Sequence, residues 1–197
     1  MYRRFFKRLV DSILSIIGIV VLAIPMIIIA IAIKSESKGP AFFKQKRLGR
    51  NRKIFTVYKF RTMCDHAFEK GGVAHSESDS RITKVGAFLR KTSLDEFPQM
   101  FNILRGEMAI IGPRPILNFE LNEVEEPEKY LGRFDALPGM FCTVDLDLRA
   151  KATRQQQFER DVEYVKKMDF LLDCKVFFGI IWTVLSRKNV YKEDQSI

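Results

Sequence analysis

Two adjacent carboxylates, Asp95 and Glu96, are the residues of this sequence best suited to chemistry. They stand in Thr92-Ser93-Leu94-Asp95-Glu96-Phe97-Pro98-Gln99, directly after a basic segment. Neighbouring residues of a helix point in different directions, because one turn holds about 3.6 residues, so the two side chains should have different tasks. One carboxylate could attack phosphorus while the other handles a proton or a metal ion.

The same residues also fit a structural pattern, in which Ser93 and Glu96 form a capping box at the start of a helix. Pro98 would then occupy the fifth helical position, where its missing N–H leaves the carbonyl of Leu94 without its usual donor. The capping box is therefore an awkward fit, and both interpretations stay open at this point.

Phosphate binding near Asp95 and Glu96 would require a cation. The start of an irregular helix attracts phosphate through its free backbone N–H groups and its dipole, whereas the carboxylates repel it. Mg²⁺ resolves this conflict because it binds one or two carboxylates together with phosphate oxygens. We therefore predict Mg²⁺ as the cofactor, with Asp95 and Glu96 as candidate ligands.

Basic side chains elsewhere are candidates for holding phosphate groups. Neither a P-loop motif nor a Gly-x-Gly-x-x-Gly motif occurs, so side chains and metal should bind the phosphate. The predicted substrate-binding residues are Lys59, Arg61, Arg81, Arg90 and Arg114, together with Pro115 of the Gly112-Pro113-Arg114-Pro115 turn.

The elements that must position these groups begin with an apolar segment. Residues 12–33 carry no formal charge, and a helix of that length spans a hydrocarbon core of roughly 30 Å. Pro25 lies inside the segment and predicts a kink, and basic residues flank both ends, which resists translocation of either flank. A re-entrant helix bent at Pro25 is favoured, and an ordinary single-pass anchor is the alternative.

The rest of the chain predicts a mainly helical α+β fold, with residues 1–33 as the membrane helix and 34–197 as one catalytic domain on the cytoplasmic face. Alternation over 42–46 and 53–60, with Gly49-Arg50-Asn51 between, predicts a small β-hairpin. Residues 65–80 are predicted to form a polar surface loop. Helical spacing from Ile82 to Leu89 and over 158–165 predicts amphipathic interfacial helices, whereas 170–185 is too interrupted to span a membrane.

Composition limits the partners. The chain of 197 residues has a formal net charge of +9, which implies anionic partners: phosphate-bearing substrates, acidic lipids or nucleic acid. Cys64, Cys142 and Cys174 are far apart and fit no metal-binding or disulfide pattern, so we expect free thiols.

Several segments together resemble the bacterial sugar transferases, the monotopic phosphoglycosyl transferases. The similarity covers nearly the whole chain. The segments that carry it are the N-terminal apolar helix, Phe43 to Gly49, Lys59 to Met63, Asp79 to Arg81, Arg90 to Gln99 with Asn102 and Gly106, and Gly112 to Pro115.

This resemblance implies a reaction and a location. Asp95 would be the nucleophile that attacks the sugar-bearing phosphorus of a UDP-sugar and releases UMP, and Glu96 would activate the polyprenol phosphate or help hold Mg²⁺. The implied acceptor is undecaprenyl phosphate, at the cytoplasmic face of the bacterial inner membrane. Membrane lipid is then a partner and nucleic acid is not, and a homodimer or downstream glycosyltransferases are further candidate partners.

One stretch departs from the family. After Pro138-Gly139 the family usually has a small residue, Gly and then Ala-Gln-Val, whereas this chain has Met140-Phe141-Cys142-Thr143-Val144-Asp145-Leu146. The change bears on the sugar or nucleotide preference rather than on the dyad.

Two other classes of function stay open: a membrane-anchored basic binding protein, and a catalytically weakened family member that acts as a scaffold.

Overall fold

A computed structural model describes residues 2–67, 79–148 and 152–185. Within these ranges the chain is mainly helical and has two small two-stranded sheets, in agreement with the predicted α+β class. Most of the loop predicted over 65–80 lies outside the described residues.

The first helix, α1 (Lys7–Glu36), continues across Pro25. Its N-terminal end is fastened to the rest of the molecule by polar contacts. The ammonium group of Lys7 lies 2.6 Å from a carboxylate oxygen of Asp173, and Arg8 donates to the backbone carbonyl of Leu104 at 2.7 Å. Both Lys7 and Asp173 are buried, so this attachment excludes solvent.

The C-terminal end of α1 is fastened to the same body. Ile33 is buried against Phe60 and Leu89. The guanidinium of Arg61 donates to the carbonyl of Ser37 at 2.9 Å, and the carboxylate of Glu36 accepts from the backbone N–H of Lys84 at 2.7 Å. Both ends of α1 are therefore held by one folded unit.

Between these attachments α1 presents an apolar outer face. Val20 and Ile24 are each 71% exposed. Of the described helices, only α1 is long and apolar enough to cross a membrane, by length and composition. A large exposed apolar surface of this kind marks a membrane or protein contact in a folded protein.

Strands β1 (Phe42–Leu48) and β2 (Ile54–Phe60) form an antiparallel hairpin, which confirms the predicted one. The register pairs Phe43 with Lys59 and Gln45 with Val57. Because side chains alternate between the faces of a strand, Arg47 shares a face with Val57 and Lys59.

Two short helices flank the predicted dyad. Helix α2 (Lys84–Thr92) begins after Thr83, whose hydroxyl accepts from the N–H of Gly86, and helix α3 (Gln99–Arg105) ends at Gly106 with φ +79°. The predicted helical pattern started at Ile82, but Ile82 instead forms an isolated β-bridge with Met63.

A second pair of strands follows α3 in the chain. Strands β3 (Ala109–Ile111) and β4 (Gly139–Phe141) are parallel and very short. Two 3₁₀ segments, Asn118–Glu123 and Pro127–Asp135, lie between β3 and β4 in the chain, and helices α4 (Arg154–Lys167) and α5 (Phe170–Leu185) follow β4. Ile103, Ile111 and Val176 belong to the main apolar core, which joins α3, β3 and α5.

Candidate active site

Asp95 and Glu96 lie in a short 3₁₀ turn, Leu94–Glu96, between α2 and α3. Ser93 ends α2 in the left-handed conformation, with φ 58°, and its side chain makes no capping hydrogen bond to the turn. The capping-box interpretation is therefore wrong. Helix α3 starts after Pro98, so the missing N–H of the proline does not interrupt the backbone hydrogen bonds of α3.

The hairpin places a positive charge beside Glu96. The ammonium group of Lys59 on β2 lies 2.7 Å from a carboxylate oxygen of Glu96. Both side chains are partly buried, so solvent screens this ion pair less than a surface pair. The pairing fixes the orientation of Glu96 relative to β2.

Asp95 has an altered acidity. Burial raises the pKa of its carboxyl to about 6, and the charge of Glu96 adds to the rise, whereas Lys59 and Arg90 oppose it. A carboxyl with this pKa is mostly ionised near pH 7 and less well solvated than an exposed one. These properties suit a nucleophile.

A cleft lies between Glu96, the hairpin and the Gly112–Pro115 turn. Of the predicted site residues, the structure brings Lys59, Glu96, Arg114 and Pro115 together in its wall, whereas Asp95 is not among the lining residues. The other lining residues are Arg47, Val57, Gln99, Gly139 and Met140. A cleft with three basic side chains at its wall is suited to a diphosphate.

The backbone of the Gly112–Pro115 turn is held from several sides. Asp161 accepts from the N–H of Arg114 at 3.3 Å, and Arg133 donates to the carbonyl of Arg114 at 2.8 Å. Arg133 and Asp161 also pair with each other, and both are fully buried. Arg47 donates to the carbonyl of Pro115 at 3.2 Å. The backbone of Arg114 is thus held by Asp161 and Arg133, neither of which lines the cleft.

The remaining predicted basic residues have other partners. Arg61 is buried beneath the end of α1, where it donates to the carbonyls of Ser37 and Lys38. Arg81 pairs with Asp79 at 2.6 Å. Arg90 donates to the hydroxyl of Thr62 at 2.9 Å and contributes positive charge near Asp95. None of these three residues lines the described cleft.

Sequence reasoning missed Arg47, Gln99 and Met140 as cleft residues. Strand alternation was a usable signal for Arg47, because β1 pairs with β2 in a register that puts Arg47 on the face of Lys59. Gln99 and Met140 had no comparable signal, since their places depend on how α3 and β4 pack.

The described residues contain no group of three or more His, Cys, Asp or Glu side chains that could hold a metal ion by themselves. The dyad offers one or two carboxylates, which matches the way Mg²⁺ is held when substrate phosphates supply further oxygens. Asp95 and Glu96 are both candidate ligands, and one carboxylate oxygen of Glu96 is already paired with Lys59.

A known protein family matches nearly the whole chain. The family model described as bacterial sugar transferase matches residues 2–187. The chain belongs to the bacterial sugar transferase family.

Three relatives in the bacterial sugar transferase family show its range of lengths. The UDP-N-acetylgalactosamine-undecaprenyl-phosphate N-acetylgalactosaminephosphotransferase of Aeromonas hydrophila is 35% identical over 92% of this chain, which covers only 44% of that protein. The uncharacterized sugar transferase EpsL of Bacillus subtilis is 34% identical, with 95% of this chain and 91% of EpsL covered. The exopolysaccharide production protein PSS of Rhizobium leguminosarum is 36% identical, with 92% of this chain and 96% of PSS covered.

The chain thus spans less than half of some long relatives, such as a Klebsiella pneumoniae UDP-glucose:undecaprenyl-phosphate glucose-1-phosphate transferase, of which 41% is covered. It spans nearly all of the short relatives. All the segments described above fall within the matched region.

Proposed function

We propose that this chain transfers a sugar 1-phosphate from a UDP-sugar to undecaprenyl phosphate and releases UMP. The relatives from Aeromonas hydrophila and Klebsiella pneumoniae carry names that describe this type of reaction. The observation that carries the proposal is the placement of the Asp95–Glu96 turn beside a cleft whose wall includes Arg47, Lys59 and Arg114.

In the first step a carboxylate oxygen of Asp95 attacks the sugar-bearing phosphorus of the donor. A new P–O bond to Asp95 forms as the P–O bond to UMP breaks, and UMP leaves with that electron pair. The product is a phosphosugar bound covalently to the enzyme. Lys59 and Arg114 stabilise the negative charge on the diphosphate as it shifts toward the leaving group.

In the second step a phosphate oxygen of undecaprenyl phosphate attacks the same phosphorus, and the bond to Asp95 breaks. This step returns Asp95 to its carboxylate form and leaves a sugar joined to the lipid by a diphosphate. Glu96, held by Lys59, is suited to accept a proton from a protonated lipid phosphate.

Mg²⁺ is the proposed cofactor, with Asp95 and Glu96 as the candidate ligands. When bound, it would neutralise diphosphate charge and polarise the phosphoryl oxygens. The chain's own contribution is to keep Asp95 partly desolvated and to surround the donor phosphates with fixed positive charge.

We also propose monotopic insertion of α1 into the cytoplasmic face of the bacterial inner membrane, with a bend at Pro25 that returns the chain to the same side. Contacts at both ends of α1 with one folded body support this topology. The exposed Phe88 of α2, and Phe178 and Trp182 of α5, support contact of these helices with the interfacial layer. The reaction would be the first membrane step of a surface glycan or glycoconjugate.

The test uses the full chain in nanodiscs with Mg²⁺, a panel of UDP-sugars and undecaprenyl phosphate, with UMP release as the readout. Without acceptor, we expect a burst of about one UMP per enzyme and a matching mass increase on Asp95. Asp95→Asn should abolish both, whereas Asp147→Asn, an exposed change, should retain them. UMP release that strictly requires the acceptor would overturn the covalent step, and a folded wild type that releases no UMP would favour a scaffold role.

A further inference from the structure

The stretch that departs from the family, 140–146, contains a carboxylate beside the cleft. Asp145 lies in the 3₁₀ turn Thr143–Leu146, where one of its oxygens accepts from the N–H of Cys142 at 3.0 Å. Its other oxygen lies 3.7 Å from a guanidinium nitrogen of Arg114. The turn therefore directs a negative charge at a basic residue of the cleft wall.

This ion pair differs from the other contacts of Arg114. The backbone of Arg114 is held by Asp161 and Arg133, so Asp145 is not needed to place the turn. The Arg114 side chain is 44% exposed and that of Asp145 is 16% exposed. Burial lowers the pKa of Arg114, but Asp145 and other nearby anionic groups outweigh it, and the net pKa lies above its usual value.

We infer that Asp145 limits the phosphate affinity of the cleft by competing with the phosphate groups of the ligand for Arg114. This inference rests on the proposed function and assigns to Asp145 the control of how tightly the cleft binds phosphate esters. A donor phosphate that reaches Arg114 must either displace Asp145 from Arg114 or bind Arg114 together with Asp145.

The geometry allows such an exchange. A separation of 3.7 Å is too long for a direct hydrogen bond, so the pair is electrostatic and Arg114 can turn its N–H donors toward a phosphate. The nearby carboxylate weakens phosphate binding because it offsets part of the positive charge that Arg114 offers to a phosphate. UMP, which carries a phosphate at the position of the broken bond, would be released faster for the same reason.

Asp145→Asn removes the negative charge and keeps an oxygen that can accept from Cys142. The experiment measures binding of inorganic pyrophosphate to the full chain in nanodiscs by calorimetry, at fixed Mg²⁺ and low ionic strength. We expect binding about three-fold tighter than in the wild type, a change typical of the loss of one partly exposed charge interaction. Asp147→Asn, two residues along and paired with the exposed Arg160, is the matched control.

Testing Asp145→Asn with and without Arg114 distinguishes competition for Arg114 from a structural effect of Asp145. In an Arg114→Gln background, Asp145→Asn should leave pyrophosphate affinity unchanged, because the contested cation is absent. Asp145→Glu, which keeps the charge, should bind no more tightly than the wild type. Asp145→Gln provides a second neutral side chain if Asp145→Asn fails to fold.

Unchanged or weaker pyrophosphate binding in the neutral variants would overturn the inference and would indicate that Asp145 only holds its turn. Steady-state turnover gives a second readout: KM for the UDP-sugar should fall while kcat stays equal or falls as UMP release slows. The two proposals fail separately. If the neutral variants bind pyrophosphate more tightly but the wild type releases no UMP from any donor, only the proposed function is overturned. If the wild type releases UMP but the neutral variants bind pyrophosphate as the wild type does, only the role of Asp145 is overturned.

Discussion

The ammonium group of Lys59 lies 2.7 Å from a carboxylate oxygen of Glu96, so the β-hairpin holds one member of the dyad directly. The same lysine lowers the pKa of Asp95, the other member. One side chain of β2 thus influences both carboxylates.

Lys59→Gln should reduce kcat/KM by about ten-fold to a hundred-fold, because the donor phosphates and Glu96 lose the same charge. It should also move the acid limb of the pH profile to higher pH, since Lys59 no longer opposes the rise in the pKa of Asp95. Measured UMP release across pH checks both effects. Lys46→Gln, an exposed change on β1, is the control, and an equal loss in that variant would contradict a specific role for Lys59.

The pKa of Asp95 predicts a pH dependence for the wild type. Burial raises this pKa from 3.8 to about 6, so the carboxyl is mostly protonated at pH 5 and mostly ionised at pH 7. Only the ionised form is a nucleophile, so kcat/KM should fall about ten-fold for each pH unit below 6. A profile that stays flat down to pH 4 would show that Asp95 is not the group whose ionisation limits the rate.

Gly86 tests the coupling of α2 to the dyad. A Cβ at this position would lie 1.9 Å from the carbonyl oxygen of Thr62, whereas a Cβ at Gly132 would meet nothing within 4 Å. Gly86→Ala should force α2 away from Thr62, displace the turn that carries Asp95 and reduce UMP release at least ten-fold. Gly132→Ala should leave activity unchanged. Wild-type activity of Gly86→Ala would mean that the close approach of α2 is not required.

The buried Arg133–Asp161 pair should contribute to stability. Asp161→Asn leaves the guanidinium of Arg133 buried without its anion, and removal of one partner of such a pair typically costs about 3–5 kcal/mol. The midpoint of thermal unfolding in detergent should therefore fall markedly. Asp147→Asn breaks the exposed pair with Arg160 and should cost about 1 kcal/mol or less. Equal decreases in the unfolding midpoint of the two variants would contradict a larger contribution from the buried pair.

Monotopic insertion predicts that both flanks of α1 are labelled from the same side of the membrane. A cysteine placed ahead of Met1 and the change Arg50→Cys at the hairpin tip, each in a background without Cys64 and Cys174, should react only with reagent on the cytoplasmic side of oriented vesicles. Reaction of the N-terminal cysteine from the opposite side would establish a single-pass helix instead.

The sequence predicted the parts of the fold that depend on local patterns. The apolar run gave α1, and alternation gave the hairpin in the right place. The sequence also favoured an irregular element around Pro98, because a proline there cannot continue a helix. The left-handed Ser93 that ends α2 was not predicted, since few features short of a glycine signal that conformation.

The candidate site was predicted in part, because a cleft depends on contacts between distant segments. Lys59, Glu96 and Arg114 were predicted and do meet there. Arg61 was proposed for phosphate from its charge and its place after a predicted strand, whereas in the structure it donates to the carbonyl groups at the end of α1. Sequence shows that an arginine is present, but only packing shows which acceptor reaches it first.

The attachment of α1 at both ends also limits how the molecule can move. A helix held at one end could swing, and the catalytic turn would then sample many heights above the lipid. Here Asp173 and Leu89 fix the two ends, so the cleft would stay at a constant depth relative to α1. A membrane-bound phosphate group would then reach the nucleophile by lateral diffusion in the membrane plane, without a change in its depth.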